Sequence, residues 1–333
     1  MRRLISYLDA LFVGMILGLI FVTFVHAAPV HQSGKVRANG VTIAYESYGP
    51  IDREAIILIG GTAMQLIDWD PEFCKDLVRH GYRVIVFDNR DIGLSTKYDA
   101  AGEPDFAAVV NAATTGKPSP LPYTLYDMAA DAVGLMDALH IKKAHLAGAS
   151  MGGIIAQIVA TKYPDRTLSL TSMMAPDGKP GLPVVANPAR LAAVPKPAPN
   201  EDRSAYIERR IKTMQALESP ANPTHETELR KMVTREADRS FCPVCDDRQG
   251  AASLFTTLED RREQLKNIRV PVLVIHGADD PLVPVDASKD VAAIIPGATL
   301  KILPRMGHDL PRPLMKTIAD AIAENATKAR HQR

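Results

Sequence analysis

Ser150 stands in the run Gly148-Ala149-Ser150-Met151-Gly152-Gly153, within HLAGASMGGIIAQ (145–157). A serine hydroxyl is a weak nucleophile. It needs a base beside it, and the base needs an acid to orient it. Two later stretches offer both partners: IHGADDPLVP (275–284) carries Asp279 and Asp280, and RMGHDLP (305–311) carries His308. Each part alone is ordinary, being a glycine-rich turn, a solvated acidic turn and a loop histidine. In the order serine, aspartate, histidine, each just after a separate apolar run, they point to nucleophilic attack by Ser150 with His308 as the base.

The surroundings of Ser150 fit that chemistry. G-x-S-x-G between a strand and a helix is a nucleophile elbow, in which the serine backbone is strained and the residues two before and two after must lack bulk. Gly148 and Gly152 meet that need. The helix that follows aims its free N–H groups and positive dipole end at the hydroxyl. Attack on a carbonyl also requires two N–H donors for the developing oxyanion. Met151, directly after the serine, is expected to give one. Thr62, in the loop GGTAMQ (60–65), is expected to give the other. That loop has neither a phosphate-binding lysine nor a G-x-G-x-x-G pattern, so it does not read as a nucleotide site.

These residues must be held by a sheet. KVRANGVTIAYESYG (35–49) alternates about an Asn39-Gly40 turn and predicts a hairpin. Short apolar runs follow at 55–61, 82–90, 143–150, 168–174, 271–277 and 299–304, alternating with helical patterns at 71–80, 125–140, 151–163, 286–294 and 311–326. Strands apolar on both faces, alternating with helices, predict an α/β fold with a mostly parallel sheet covered on each side. The stretch 177–262 breaks the rhythm. It opens proline-rich and continues with polar helical segments, so it reads as an insertion folded over one end of the sheet. The core is then 28–176 and 263–333.

The 333 residues are 46% hydrophobic and 23% charged with a formal net charge of +1, which gives no reason to expect a nucleic-acid partner. Residues 1–27 read as a signal peptide: Arg2 and Arg3, an apolar run from Leu11 to Val25, then a small-residue exit before Ala28. The alternative is an uncleaved anchor, for which the run is short. Either way the chain is expected to be exported, to the periplasm or beyond, with membrane contact only through this segment. In an oxidising compartment Cys242-Pro243-Val244-Cys245 reads as a local disulfide, which leaves Cys74 as the free thiol. No second cysteine pair or spaced histidine completes a zinc site, so no metal is expected. His276 is placed to pack beside the site. Trp69, Phe241 and Phe255 read as packing residues, with a place in the site wall as the alternative.

From about residue 35 to 328 the chain resembles the α/β-hydrolase superfamily. Within it, GGTAMQLIDWDPEFCKDLVRHGYRVIVFDNRDIGLS, GASMGG, VPVLVIHGADDPLVP and MGHDLPR are most similar to the aclacinomycin methylesterase-like carboxylesterases. The resemblance implies a helical cap between strands 6 and 7, ester hydrolysis of a small-molecule substrate and no cofactor. It also implies an acid three residues after the strand-end Gly277, which is Asp280. Gly60 departs from the histidine that many members carry before the oxyanion glycine. Related chemistries on this fold are acyl transfer and lactone, perhydrolase, amide or C–C bond reactions, and a binding protein on the same scaffold is the reading from another class.

Overall fold

The computed structural model describes residues 31–198 and 201–331; the expected signal peptide at 1–27 lies outside the described residues. The chain opens with the hairpin β1 (Gln32–Ala38) and β2 (Val41–Tyr48). Asn39 and Gly40 both take positive φ, 45° and 79°, as a primed two-residue turn demands. Then follow β3 (Ala55–Ile59), α1 (Pro71–Arg79), β4 (Arg83–Phe87), α2 (Phe106–Thr115), α3 (Leu125–Ala138), β5 (Ala144–Ala149), α4 (Met151–Lys162) and β6 (Thr167–Met173). The sheet resumes only at β7 (Val272–Gly277), α10 (Val285–Ile294), β8 (Thr299–Leu303) and α11 (Arg312–His331). Between β6 and β7 the described residues form five helices: α5 (Pro188–Leu191), α6 (Arg203–Leu217), α7 (Glu226–Arg239), α8 (Pro243–Thr257) and α9 (Arg262–Leu265).

The eight strands form one sheet in the order β1-β2-β4-β3-β5-β6-β7-β8. Only β2 runs against its neighbours; β4, β3, β5, β6, β7 and β8 are parallel. Strand β3 serves two cores, which is why it is apolar at every position. In β3, Ile57 and Ile59 pack with Met128 and Leu135 of α3 and Ile155 of α4. Ile56 and Leu58 point the other way, among Phe73 and Leu77 of α1 and Ile318 and Ile322 of α11. Each such side chain contributes roughly 1.5–3 kcal/mol on burial, so a polar residue on either face would be expensive.

The apolar runs fall on β3 to β8, and the insertion is helical without a strand among its described residues. Helix α2 adds to the expected elements. Its sequence, FAAVVNAATT, has no clear apolar stripe. It is defined by its ends: Asp105 accepts the Ala108 N–H and Gly116 closes it in the left-handed region.

The insertion has a small core of its own, where Tyr206, Ile207 and Ile211 of α6 meet Leu229, Val233 and Ala237 of α7. Buried polar contacts fasten it to the sheet. Arg248 of α8 pairs with Asp91 at 2.8 Å, and Arg239 of α7 with Asp88 at 2.8 Å. Gln65 Nε2 donates to the Glu236 carbonyl at 2.8 Å.

Candidate active site

Strand β5 ends at Ala149 and α4 begins at Met151, so Ser150 alone makes the turn. It does so at φ 55°, ψ −122°, a strained conformation for a residue with a side chain. The turn is possible only because its flanks are bare. A Cβ on Gly148 would lie 2.0 Å from the Gly152 carbonyl oxygen, and one on Gly152 would lie 2.0 Å from the Ile59 oxygen. The Ser150 N–H donates to Met173 O of β6 at 2.9 Å, which fixes the elbow to the sheet.

His308, in the loop after β8, brings Nε2 to 2.9 Å from Ser150 Oγ. Its Nδ1 lies 2.7 Å from Asp280 Oδ2. A carboxylate can only accept, so Nδ1 carries the proton and Nε2 is the lone-pair nitrogen facing the serine hydroxyl. Asp280 follows β7 and is buried, whereas Asp279 is exposed and turned away. Asp280 is held from every side. Oδ1 accepts the Leu282 and Val283 N–H groups at 2.8 and 2.9 Å, and His276 Nε2 lies 3.2 Å from Oδ2. Burial would raise its pKa. Attraction to His308 and hydrogen bonds from His276 and His308 outweigh burial and hold the carboxyl well below the usual carboxylate range.

His276 thus does more than pack. It is fully buried at the end of β7, with Nδ1 2.6 Å from Ser288 Oγ and Nε2 3.0 Å from the Val283 carbonyl. The spacing His276 to Asp280, four residues across a strand end, was the available signal.

The oxyanion donors can be followed through the loop after β3. Ala63 N–H is taken by Gln249 Oε1 at 3.0 Å, and Met64 N–H by the Gly61 carbonyl at 3.2 Å. The N–H groups of Thr62 and Met151 have no protein acceptor among the described residues. Gly61 lies against the elbow: a Cβ there would be 3.4 Å from Ser150 Cβ. A hydroxyl backed by imidazole and carboxylate, beside two free N–H groups, can attack a carbonyl and hold the resulting oxyanion.

A cavity of about 1270 Å³ opens over Ser150 and His308. Trp69 and Ile154 wall it on the core side, and Met214, Leu217, Met232 and Leu254 on the side of the insertion. Trp69 is buried and stacks on Phe73 with ring centroids 5.8 Å apart. Phe241 and Phe255 do not reach the cavity; Phe241 is exposed and meets Tyr206 edge-on. Cys242 and Cys245 are joined as a disulfide that opens α8. The Asp99 carboxylate lies beside the two sulfurs, but a disulfide offers no thiolate to a metal. Cys74 is free and buried, and burial foremost pushes its thiol up to about 12. No helix among the described residues is long and apolar enough to cross a membrane.

Residues 54–311 match the family model described as the alpha/beta hydrolase fold. Among characterised relatives, the chain is 27% identical over 313 residues to the rhodomycin D methylesterase DauP of Streptomyces sp. (strain C5), spanning 88% of this chain and 98% of the relative. It is 28% identical over 306 residues to the rhodomycin D methylesterase DnrP of Streptomyces peucetius, spanning 87% and 96%. Its structure is similar to that of a mutant of the meta-cleavage product hydrolase from Pseudomonas fluorescens IP01 complexed with acetates, with a TM-score of 0.67 over 89% of this chain and 98% of that one. At 21% identity, that similarity speaks for the fold alone.

Proposed function

The chain belongs to the alpha/beta hydrolase fold family, and on that premise we propose that it is an exported serine carboxylesterase working through an acyl-enzyme. The observation that carries this reading is the continuous line from Asp280 through His308 to Ser150, with 2.7 and 2.9 Å links, beside the unbonded Thr62 and Met151 N–H groups. The similarity to two methylesterases supports an ester as the substrate.

In this mechanism His308 Nε2 takes the proton from Ser150 Oγ as that oxygen bonds to the ester carbonyl carbon. The carbonyl electron pair moves onto oxygen, where Met151 and Thr62 N–H groups hold it. Asp280 steadies the imidazolium without itself taking the proton. The tetrahedral centre collapses, the C–O bond to the alcohol breaks, and His308 returns its proton to the leaving oxygen. Water then attacks the acyl-enzyme by the same route, releasing the acid and restoring Ser150. The size of the cavity and its methionine, leucine and tryptophan walls favour esters with one bulky apolar half. Export rests on the pattern of residues 1–27.

The test is Ser150→Ala. The substitution removes one oxygen at the elbow, so the fold is retained. Hydrolysis of p-nitrophenyl esters and labelling by a fluorophosphonate should both vanish. Wild-type protein that is folded yet takes no label and cleaves no ester overturns the reading.

A further inference from the structure

The amide of Gln249, on α8 of the insertion, bridges two backbone groups of the core. Its Oε1 accepts the Ala63 N–H at 3.0 Å and its Nε2 donates to the Arg90 carbonyl at 2.7 Å. The side chain is fully buried. One end must accept and the other must donate, so only a carboxamide of this length satisfies both. Glutamate lacks the donor, and methionine lacks both.

The bond to Ala63 lies one peptide beyond Thr62. All peptides in the described chain are trans, so within each unit C=O and N–H point opposite ways. Gly61 O is turned inward to Met64 N–H, which turns the Thr62 N–H of the same unit outward. The next unit is oriented by Gln249 through the Ala63 N–H. Ala63 itself is held at φ 59°, a left-handed conformation that an alanine does not choose unaided. Arg90, the other end of the bridge, is a firm anchor, since its guanidinium pairs with buried Asp131 at 2.6 Å. The loop that carries Thr62 therefore keeps its shape through a residue 186 positions away.

We propose that Gln249 is a positioning residue for the oxyanion pocket, holding the Ala63 N–H so that the Thr62 N–H stays aimed at the carbonyl oxygen over Ser150. The inference rests on the serine-esterase reading above. It makes the insertion part of the reaction machinery and more than a wall of the cavity. A purely structural Gln249 would lower thermal stability without changing turnover by the folded enzyme.

The experiment compares full-length wild type with Gln249→Met, Gln249→Asn and Thr256→Val. Thr256 is a buried residue of the same helix whose hydroxyl bonds only within α8, to the Ala252 carbonyl. Melting temperature, kcat and KM on a p-nitrophenyl ester, and inhibition by a trifluoromethyl ketone that mimics the tetrahedral centre are measured for each. Gln249→Met should lose about ten-fold or more in kcat, short of the roughly 10²–10³ that follows outright loss of an oxyanion donor. Its KM should stay within about two-fold, and ketone affinity should fall in step with kcat/KM. Thr256→Val should keep its kcat even if its melting temperature drops as far. Should Gln249→Met not fold, Gln249→Asn takes its place: the same chemistry, one methylene too short to reach Ala63, must lower kcat and ketone affinity together. Folded Gln249 variants with wild-type kcat overturn the inference and leave the esterase reading standing. Wild type that neither cleaves ester nor takes a fluorophosphonate overturns both.

Discussion

The carbonyl of Leu217, at the end of α6, accepts the backbone N–H of His308 at 2.8 Å. Beside it, the Gly307 N–H donates to Ser219 Oγ at 2.8 Å, and a Cβ on Gly307 would lie 2.6 Å from that same Leu217 oxygen. The histidine loop is thus tied to the insertion at two consecutive peptides. The Ser219 hydroxyl in turn donates to Asp309 Oδ1, so its removal deprives that carboxylate of a donor and strands a buried N–H, the latter alone costing roughly 1–3 kcal/mol. Ser219→Ala should therefore lower the unfolding free energy by at least that amount in a denaturant titration. It should also slow turnover, because the residues on both sides of His308, Gly307 and Asp309, lose their bonds to the insertion. A variant as stable and as fast as wild type would show that the Leu217 bond suffices.

Asp279 and Asp280 are adjacent and chemically alike, yet only Asp280 reaches His308. An asparagine at 280 could turn its NH₂ toward Nδ1 and favour the wrong imidazole tautomer. The same change in a serine-protease triad costs roughly 10⁴ in turnover. Asp280→Asn is expected to lose about 10³ or more on that precedent, while Asp279→Asn, at an exposed position, stays close to wild type. Side-by-side kinetics on folded variants decide the matter; a larger loss in Asp279→Asn would move the acid by one residue.

Residues whose type states their task were readable in the chain, whereas residues defined by a distant partner were not. Ser150 announces itself because the elbow excludes side chains from Gly148 and Gly152, which leaves a local signature. Strands such as β3 and β4 were readable from apolar runs that feed two cores, while the buried His145 of β5, Ser169 of β6 and His276 of β7 are carried by hydrogen bonds. Gln249 and Ser219 had no such mark: each is a common polar residue on or beside a cap helix. Their partners, Ala63 and Gly307, are 186 and 88 positions away. His276 was halfway, placed beside the site but not assigned to Asp280. Helix α2 escaped because it is specified by its caps and not by an apolar stripe.

Two carboxyl groups should give the stability curve opposite slopes. Asp280 is depressed in the folded protein, so its contribution is complete above the unfolded aspartate pKa of about 3.9 and fades as pH falls below it. Asp246, on α8, is pushed up to about 6 chiefly by burial, against the pull of Arg210 and the Tyr206 hydroxyl. An unfolded aspartate ionises first, so this group withdraws stability as pH climbs from about 4 to about 6, then no further. Melting temperatures across pH 3–8 should show Asp246→Asn without that decline and Asp280→Asn without the acid-side loss. Parallel curves for all three proteins would contradict both assignments.

The cysteines make the last prediction. Cys74 is buried on α1 with its thiol raised to about 12, so it carries almost no thiolate at neutral pH. Cys242 and Cys245 are already paired. Native protein should consequently give no fast reaction with a thiol reagent. The denatured chain should give one thiol, and the denatured and reduced chain three. The disulfide closes a loop with a separation of only three residues, so the chain-entropy gain is about 2 kcal/mol. Reduction of the native protein should free the first turn of α8 while the sheet stays folded. Because α8 carries Gln249 a turn further on, reduced enzyme should lose turnover before it loses circular dichroism. Two fast thiols in freshly purified, folded protein, with Cys74 still protected, would show that the pair is not oxidised.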